Sequence, residues 1–259
     1  MIIEELKTKL YDIQNHIVFN DAKHTYHIDD KKHISVTTFK ENFIPPFEEK
    51  KWLRIKSEAR GITAEALKHE WSEKARLATT IGSIVHEYIE NYIMQKSYTI
   101  PIINETIYTA TPEEIQRMIN ERIDHFHIAY QKNLHKMSPL AMELQIFSKK
   151  WPLAGTIDAL FFYKNVLVIG DWKTNKAFSS TVDESYNNLL WPFERFPNTH
   201  LHSYSLQVSL YRLILEEWGF KTGPGFLYWL GPDNNSKFHK TIDFRQTLRN
   251  YLNDYQWAA

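Results

Sequence analysis

The sequence predicts a mixed α/β fold of the α+β kind, carrying an N-terminal helical elaboration. Three observations predict it. Gly155–Lys173 (GTIDALFFYKNVLVIGDWK) reads as two strands of β-branched and aromatic residues joined at Lys164-Asn165. Long helices are expected over Thr111–Leu134, from its start signal, and over His202–Trp218, from its amphipathic periodicity. A further strand, Gly225–Leu230, follows the second of these helices. Helices, then a short sheet, then helix and strand make one layered core.

The elements follow in chain order. MIIEELKTKL is an acid-containing amphipathic helix, unlike a signal or transit peptide. His16–Asp30 reads as short strands around a turn (IVFN, HTYHID), and Ile34–Thr38 as another. Pro45-Pro46 breaks the chain. Phe47–Gln95 is largely helical, with one run over Thr63–Arg76 and a second helix near Ala78–Tyr92. Ser97–Ala110 is a β-branched connection. Thr111, with Pro112 at the first turn and Glu113-Glu114 behind it, opens the next helix. Strands are expected at Met142–Ser148, Gly155–Tyr163 and Val166–Trp172. A long loop, Phe178–Thr199, carries Trp191-Pro192-Phe193. Gly219 stops the His202 helix, Lys237–Phe244 adds a strand, and Arg245–Tyr255 ends in a helix. Residues 1–77 form the N-terminal strands and helical elaboration, and 78–259 the core, in one compact unit.

Composition removes several classes. The 259 residues carry no net charge, so the chain is not a nonspecific polycation; binding a polyanion needs local basic clusters or a bound metal. There is no cysteine, which excludes disulfides, thiolate zinc sites and Cys-ligated iron–sulfur clusters. No apolar run is long enough to span a bilayer, so a cytoplasmic protein is expected.

Chemistry concentrates in the hairpin. A two-residue loop sets the register, so residues whose numbers sum to 329 oppose each other. Asp158 then faces Asp171, and Thr156 faces Lys173. Asp158, Asp171 and Lys173 share one face at the open end. Opposed carboxylates with Cβ atoms about 5 Å apart repel, and a divalent ion held by oxygen ligands relieves them. The alternative, acids left in solvent, stays open from the hairpin alone. Both strands are nonetheless apolar on both faces, which places the hairpin in the sheet's centre.

Other residues have plainer alternatives. Gly82 and His86 lie one turn apart on a helix; the imidazole could serve a metal or a phosphate, or simply pack. Gln207 and Tyr211, at i and i+4, could make a polar patch beside the apolar face or a rim of the core. Glu143 opens the strand before the hairpin, as a further acid or a surface charge. Lys149-Lys150 and Lys173–Lys176 are basic clusters expected to flank the hairpin opening, where a phosphate backbone could pass. Trp191 and Phe193 could stack on bases or anchor their loop.

Taken in order, Gly82-x-x-x-His86, Glu143, Gly155-Thr-Ile-Asp158, Asp171-Trp-Lys173 and Gln207-x-x-x-Tyr211 resemble the RecB-type branch of the PD-(D/E)XK nuclease superfamily, which includes phage-type exonucleases. The likeness spans roughly residues 78–230. The opening segment HTYHIDDKKHISVTTF resembles phage-type members more loosely. The resemblance implies a restriction-endonuclease-like core, a central mixed sheet flanked by helices. It implies that His86, Asp158, Asp171 and the Trp172 carbonyl hold Mg²⁺, with Mn²⁺ as a substitute. Lys173 would orient or activate the attacking water and offset transition-state charge. Gln207 and Tyr211 would support the site and the DNA strand, with Glu143, Lys149, Lys150, Lys176 and Trp191 as further supporting or DNA-binding residues. Ile157 stands where the motif often has proline. The implied activity is a DNA exonuclease acting on single-stranded or resected ends in replication, repair or recombination. A helicase or single-strand-binding protein would be its partner. The alternatives are a structure-selective endonuclease and a silent DNA-binding subunit. The iron–sulfur cluster of some relatives cannot form here.

Overall fold

The structure is a computed structural model and describes residues 2–20, 25–185, 187–233 and 235–257. His24, the first residue of the predicted HTYHID strand, lies outside the described residues. Seven α-helices and eight strands are described: α1 Ile2–Gln14, β1 Ile17–Asn20, β2 Thr25–Ile28, β3 Lys31–Ser35, α2 Val36–Lys40, α3 Glu49–Arg60, α4 Ala64–Ile93, α5 Pro112–Lys132, β4 Ser138–Phe147, β5 Leu153–Tyr163, β6 Val166–Lys173, α6 His200–Glu217, β7 Phe226–Leu230, β8 Ser236–Lys240 and α7 Arg245–Asp254.

They build the expected α/β architecture, a mixed central sheet flanked by helices. Its strand order is β1-β2-β3-β5-β6-β7-β8, and β4 also pairs with β5. β5 runs antiparallel to β4 and β6 and parallel to β3, and β6 runs parallel to β7. One face of the sheet packs under α1, α2, α6 and α7 through Leu160, Ile169 and Leu227. The other packs under α4 and α5 through Phe161, Val168, Trp172 and Phe226. Alternating side chains of β6 feed both cores, so this strand is buried on both faces, as its unbroken apolar run predicts.

Local signals account for the helix starts. Thr111 caps α5, with its hydroxyl accepting from Glu114 N–H and the Glu114 carboxylate accepting from Thr111 N–H. The Thr63 hydroxyl caps α4 by accepting from Ala66 N–H, and that of Thr199 caps α6 by accepting from His202 N–H. Two expectations change. The strand expected over Ile34–Thr38 ends at Ser35, because the Ser35 hydroxyl accepts from Thr38 N–H and starts α2. The two helices expected between Thr63 and Tyr92 are one helix of 30 residues. No Gly or Pro falls between Arg76 and Ala78, so nothing there interrupts the hydrogen-bond ladder.

Candidate metal centre

The β5–β6 hairpin has the two-residue turn its sequence requires. Lys164 and Asn165 both adopt positive φ, 47° and 63°, the pattern of a type I′ turn. Pairing follows the expected register from Tyr163↔Val166 to Ala159↔Gly170. The next pair, Asp158 with Asp171, is not made. β6 turns away and pairs Gly170–Lys173 with Phe226–Trp229 of β7. Thr156, expected opposite Lys173, lies beyond the β5–β6 pairing, though on its other edge it pairs with Gln145 of β4. On the edge that β6 abandons, β3 joins β5 at Leu153 and Ala154. Asp158 therefore sits in a fork. Its Oδ2 accepts from the Trp172 N–H at 3.1 Å, across the gap where the ladder opens.

The fork is closed from the side by α4. His86 Nε2 lies 3.1 Å from the Trp172 carbonyl oxygen. A carbonyl only accepts, so Nε2 carries the proton and Nδ1 faces the acids. His86 Nδ1 lies 3.7 Å from Asp158 Oδ2 and 3.9 Å from Glu143 Oε1. One donor atom from each of His86, Glu143 and Asp158 lies within 4.8 Å of the others, so these three could hold a metal ion. Glu143 reaches this position from β4 with a positive φ of 47°, a backbone conformation that is costly for a non-glycine residue. Burial pushes the His86 imidazole down, but Asp158 and Glu143 more than offset this and hold it above its ordinary value. Gly82 lets α4 approach: a Cβ there would come within 3.1 Å of Thr174 Oγ1, just beyond β6.

Asp171 occupies a different environment. It is 3% exposed, and its Oδ2 lies 2.7 Å from Lys173 Nζ, without hydrogen-bond alignment. Its Oδ1 accepts from Gln207 Nε2 at 3.4 Å. Burial raises the Asp171 carboxyl; Lys173 opposes the rise and Asp158 adds to it, leaving it at about 6. Burial alone would lower Lys173, but Asp171 and Asp158 outweigh it, and the ammonium is held above the ordinary lysine range. Lys173 Nζ also stands 4.4 Å from the centre of the Tyr204 ring. His86, Glu143, Lys173 and Tyr204 line one open cleft of about 590 Å³.

Tyr211 is buried beneath the site. Its ring occupies the space left by Gly155, where a Cβ would lie 2.8 Å from Tyr211 Cε1. It touches the inner side of β5 and is closed to solvent. Lys149 and Lys150 do not join the acids. The Lys149 N–H is bound by the Glu217 carboxylate, and its ammonium lies 3.7 Å from the Trp218 ring centre. That is the far end of α6, three turns from Gln207. Lys176 is exposed on the loop after β6. Trp191 is 66% exposed, with its ring 5.5 Å from Tyr251. Phe193 is wholly buried between Phe43 and Phe244 and so anchors the loop rather than meeting bases.

Two contributors escaped the sequence reading. Tyr204 sits one turn before Gln207 on α6, at a spacing that was available. Lys40 ends α2, is 5% exposed, and lies 3.7 Å from Glu41 Oε1 and 5.2 Å from the Tyr204 ring centre. Nothing local in SVTTFK marks that lysine as buried.

No protein-family model matches the chain. Over 140 residues it is 28% identical to an ATP-dependent helicase/nuclease subunit of Streptococcus pyogenes serotype M5, strain Manfredo, and equally to that of serotype M49, strain NZ131. The match covers 47% of this chain and 11% of each relative, so the chain answers to about a tenth of their length. The crystal structure of SSO0001 aligns over 98% of this chain and 85% of its own, at 14% identity. Its TM-score of 0.31 is too low to carry an argument. The chain is thus similar, over less than half its length, to a helicase/nuclease subunit. No helix among the described residues is long and apolar enough to cross a membrane.

Proposed function

We propose that this protein is a divalent-metal-dependent deoxyribonuclease that degrades DNA from single-stranded or resected ends, in replication, repair or recombination. One observation carries the reading: His86, Glu143 and Asp158 converge beside a buried Asp171–Lys173 pair. Three carboxylates, one imidazole and the ammoniums of Lys173 and Lys40 gather here, and a further cation would relieve the close approach of Glu143 and Asp158. The donors are hard oxygens with one imidazole nitrogen, a set suited to Mg²⁺ with Mn²⁺ as substitute. His86, Glu143, Asp158 and Asp171 would hold that ion. The bound ion would supply Lewis-acid stabilisation of the scissile phosphate and activate water.

The chain's own residues do the rest. Because its ammonium is held above the ordinary range, Lys173 stays charged at neutral pH. It serves as a donor that orients water and offsets charge on the phosphate, rather than as a base. Asp171 fixes Lys173 Nζ, Gln207 fixes Asp171, and the Trp172 carbonyl fixes the His86 ring. Water attacks phosphorus in line and loses a proton to solvent, the bond to the leaving oxygen breaks, that oxygen takes up a proton to leave as a hydroxyl, and no covalent enzyme intermediate forms. Similarity to a helicase/nuclease subunit supports DNA as substrate and a helicase, or a single-strand-binding protein, as companion.

End-labelled single- and double-stranded DNA and a closed single-stranded circle, incubated with Mg²⁺, Mn²⁺ or EDTA, test this. Metal-dependent loss of linear strands with the circle intact is expected. Cleavage of the circle would indicate an endonuclease, and cleavage of nothing would remove the reading.

A further inference from the structure

We propose that α3 and the first half of α4 form a platform that binds single-stranded nucleic acid and feeds it to the cleft. This rests on the nuclease reading for its purpose, but its geometry is independent of the metal centre.

Between Glu49 and Leu77 only Ser57 and Leu67 are buried, so α3 and the α4 residues before Leu77 add no side chain to either core. Large aromatic groups nevertheless gather on them and on the segment that leads into α3. Phe47 is 67% exposed and Trp52 38%. Phe47 lies 5.9 Å from Trp71 between ring centres. Lys56 Nζ lies between two indoles, 5.6 Å from Trp52 and 5.9 Å from Trp71. α3 and residues 64–77 together carry eight cations against five acids; on α3, Lys51 and Arg60 pair with Glu48 and Glu70, and Lys50, Arg54 and Lys56 supply the excess. Exposed Phe47 and Trp52 beside a half-buried Trp71 make a clustered aromatic patch, of the kind that marks an interaction site. Protein partners would be served by aromatics, but not by this excess of ammonium and guanidinium groups. Bases stack on such rings regardless of sequence while the cations meet phosphates.

Position ties the platform to the cleft. Ala78 and Gly82, which line the cleft, follow Trp71 on α4 by seven and eleven residues. Both intervals are near whole numbers of turns, so the three residues share a face. Trp71 and His86 are fifteen residues apart on this continuous helix, or about 22 Å. At about 3.4 Å per stacked nucleotide that is a track of about six nucleotides. Ala75, Ala78 and Gly82 leave that track free of bulky side chains.

The test uses the full chain in EDTA, so that binding is read without cleavage. Fluorescein-labelled dT15 and U15 are titrated by anisotropy at two salt concentrations against the native protein, Trp52→Ala and Lys56→Ala. Both side chains are on the surface, and melting curves check that the variants fold. Trp52→Ala is expected to bind about tenfold more weakly, as loss of one stack predicts, and Lys56→Ala to bind more weakly at low salt and to flatten the salt dependence by about one counterion. Equal loss on both probes assigns the platform to single strands generally, and loss on one probe to that nucleic acid. Unchanged affinity in folded variants, or no binding by the native protein, would overturn the proposal. Weakened binding by the variants, in a protein that cleaves nothing with metal present, would keep the platform and remove the nuclease reading.

Discussion

The buried Asp171 carboxyl would make binding of the proposed metal depend on pH in a calculable manner. Its ordinary value is 3.8 and in the fold it stands at about 6. At about 1.4 kcal/mol per unit, ionising it costs the metal-free fold about 3 kcal/mol. An acid raised on folding favours the protonated native state. Its stabilising contribution is complete below pH 4, is lost as pH rises through 6, and is constant above. A cation that needs the carboxylate must displace this proton. Apparent affinity for Mn²⁺ should therefore fall as pH is lowered through 6, by about tenfold at pH 5 from Asp171 alone. The His86 imidazole, also held above its ordinary value, adds proton release of the same sign. Calorimetry between pH 5 and 8, in two buffers of different ionisation enthalpy, measures the protons released. Asp171→Asn should reduce that number by about one at pH 5 and remove the fall in metal-free stability between pH 4 and 6. Affinity independent of pH in the native protein, or an unchanged proton count in Asp171→Asn, would refute the reasoning.

Four other outcomes follow from single residues. Lys173→Ala should lower kcat at least 100-fold, the scale of losing one charge-stabilising donor, while calorimetric Mn²⁺ binding at pH 8 persists. Gly155→Ala places a methyl 2.8 Å from Tyr211 Cε1; overpacking of this kind costs about 1–3 kcal/mol, read as a lower denaturation midpoint. Phe193→Ala, at a wholly buried ring, should cost about 3–5 kcal/mol. Trp191→Ala, at a ring two-thirds exposed, should move the same midpoint by less than about 0.5 kcal/mol.

Legibility varied with how local the determinant was. The hairpin register was readable because a two-residue loop and a period of two leave one solution. Thr111 and Pro112 marked α5 for the same reason: cap and first turn are adjacent in sequence. The sharing of one face by Asp171 and Lys173 also needed only alternation. By contrast, Lys40 and Glu143 reach the site through the pairing of β3 and β4 with β5. Those contacts cross more than a hundred residues for Lys40, and a backbone turned to positive φ for Glu143. Lys149-Lys150 looked close to the acids because they precede β5. The ten-residue length of β4 and the turn after it instead carry them to the far end of α6.

The failed Asp158–Asp171 pair explains why the site has two compartments. Continuing the ladder would have set two carboxylates face to face. Parting the strands instead gives Asp158 the Trp172 N–H, and turns it toward His86 and Glu143 at the open cleft. Asp171 stays on β6, is buried, and takes the ammonium of Lys173. The Trp172 N–H and carbonyl that β5 has given up are taken instead by Asp158 Oδ2 and His86 Nε2, while β7 pairs with the opposite edge of β6. The same repulsion that suggests a metal from sequence thus also shapes the strands that would hold it. Removing one charge should close the fork: in Asp158→Asn the repulsion is gone, but the side chain still has an oxygen for the Trp172 N–H. The variant should fold with at least native stability in EDTA, yet lose the stabilisation that Mn²⁺ confers on the native protein. If it is instead strongly destabilised without metal, the repulsion is not what parts β5 from β6.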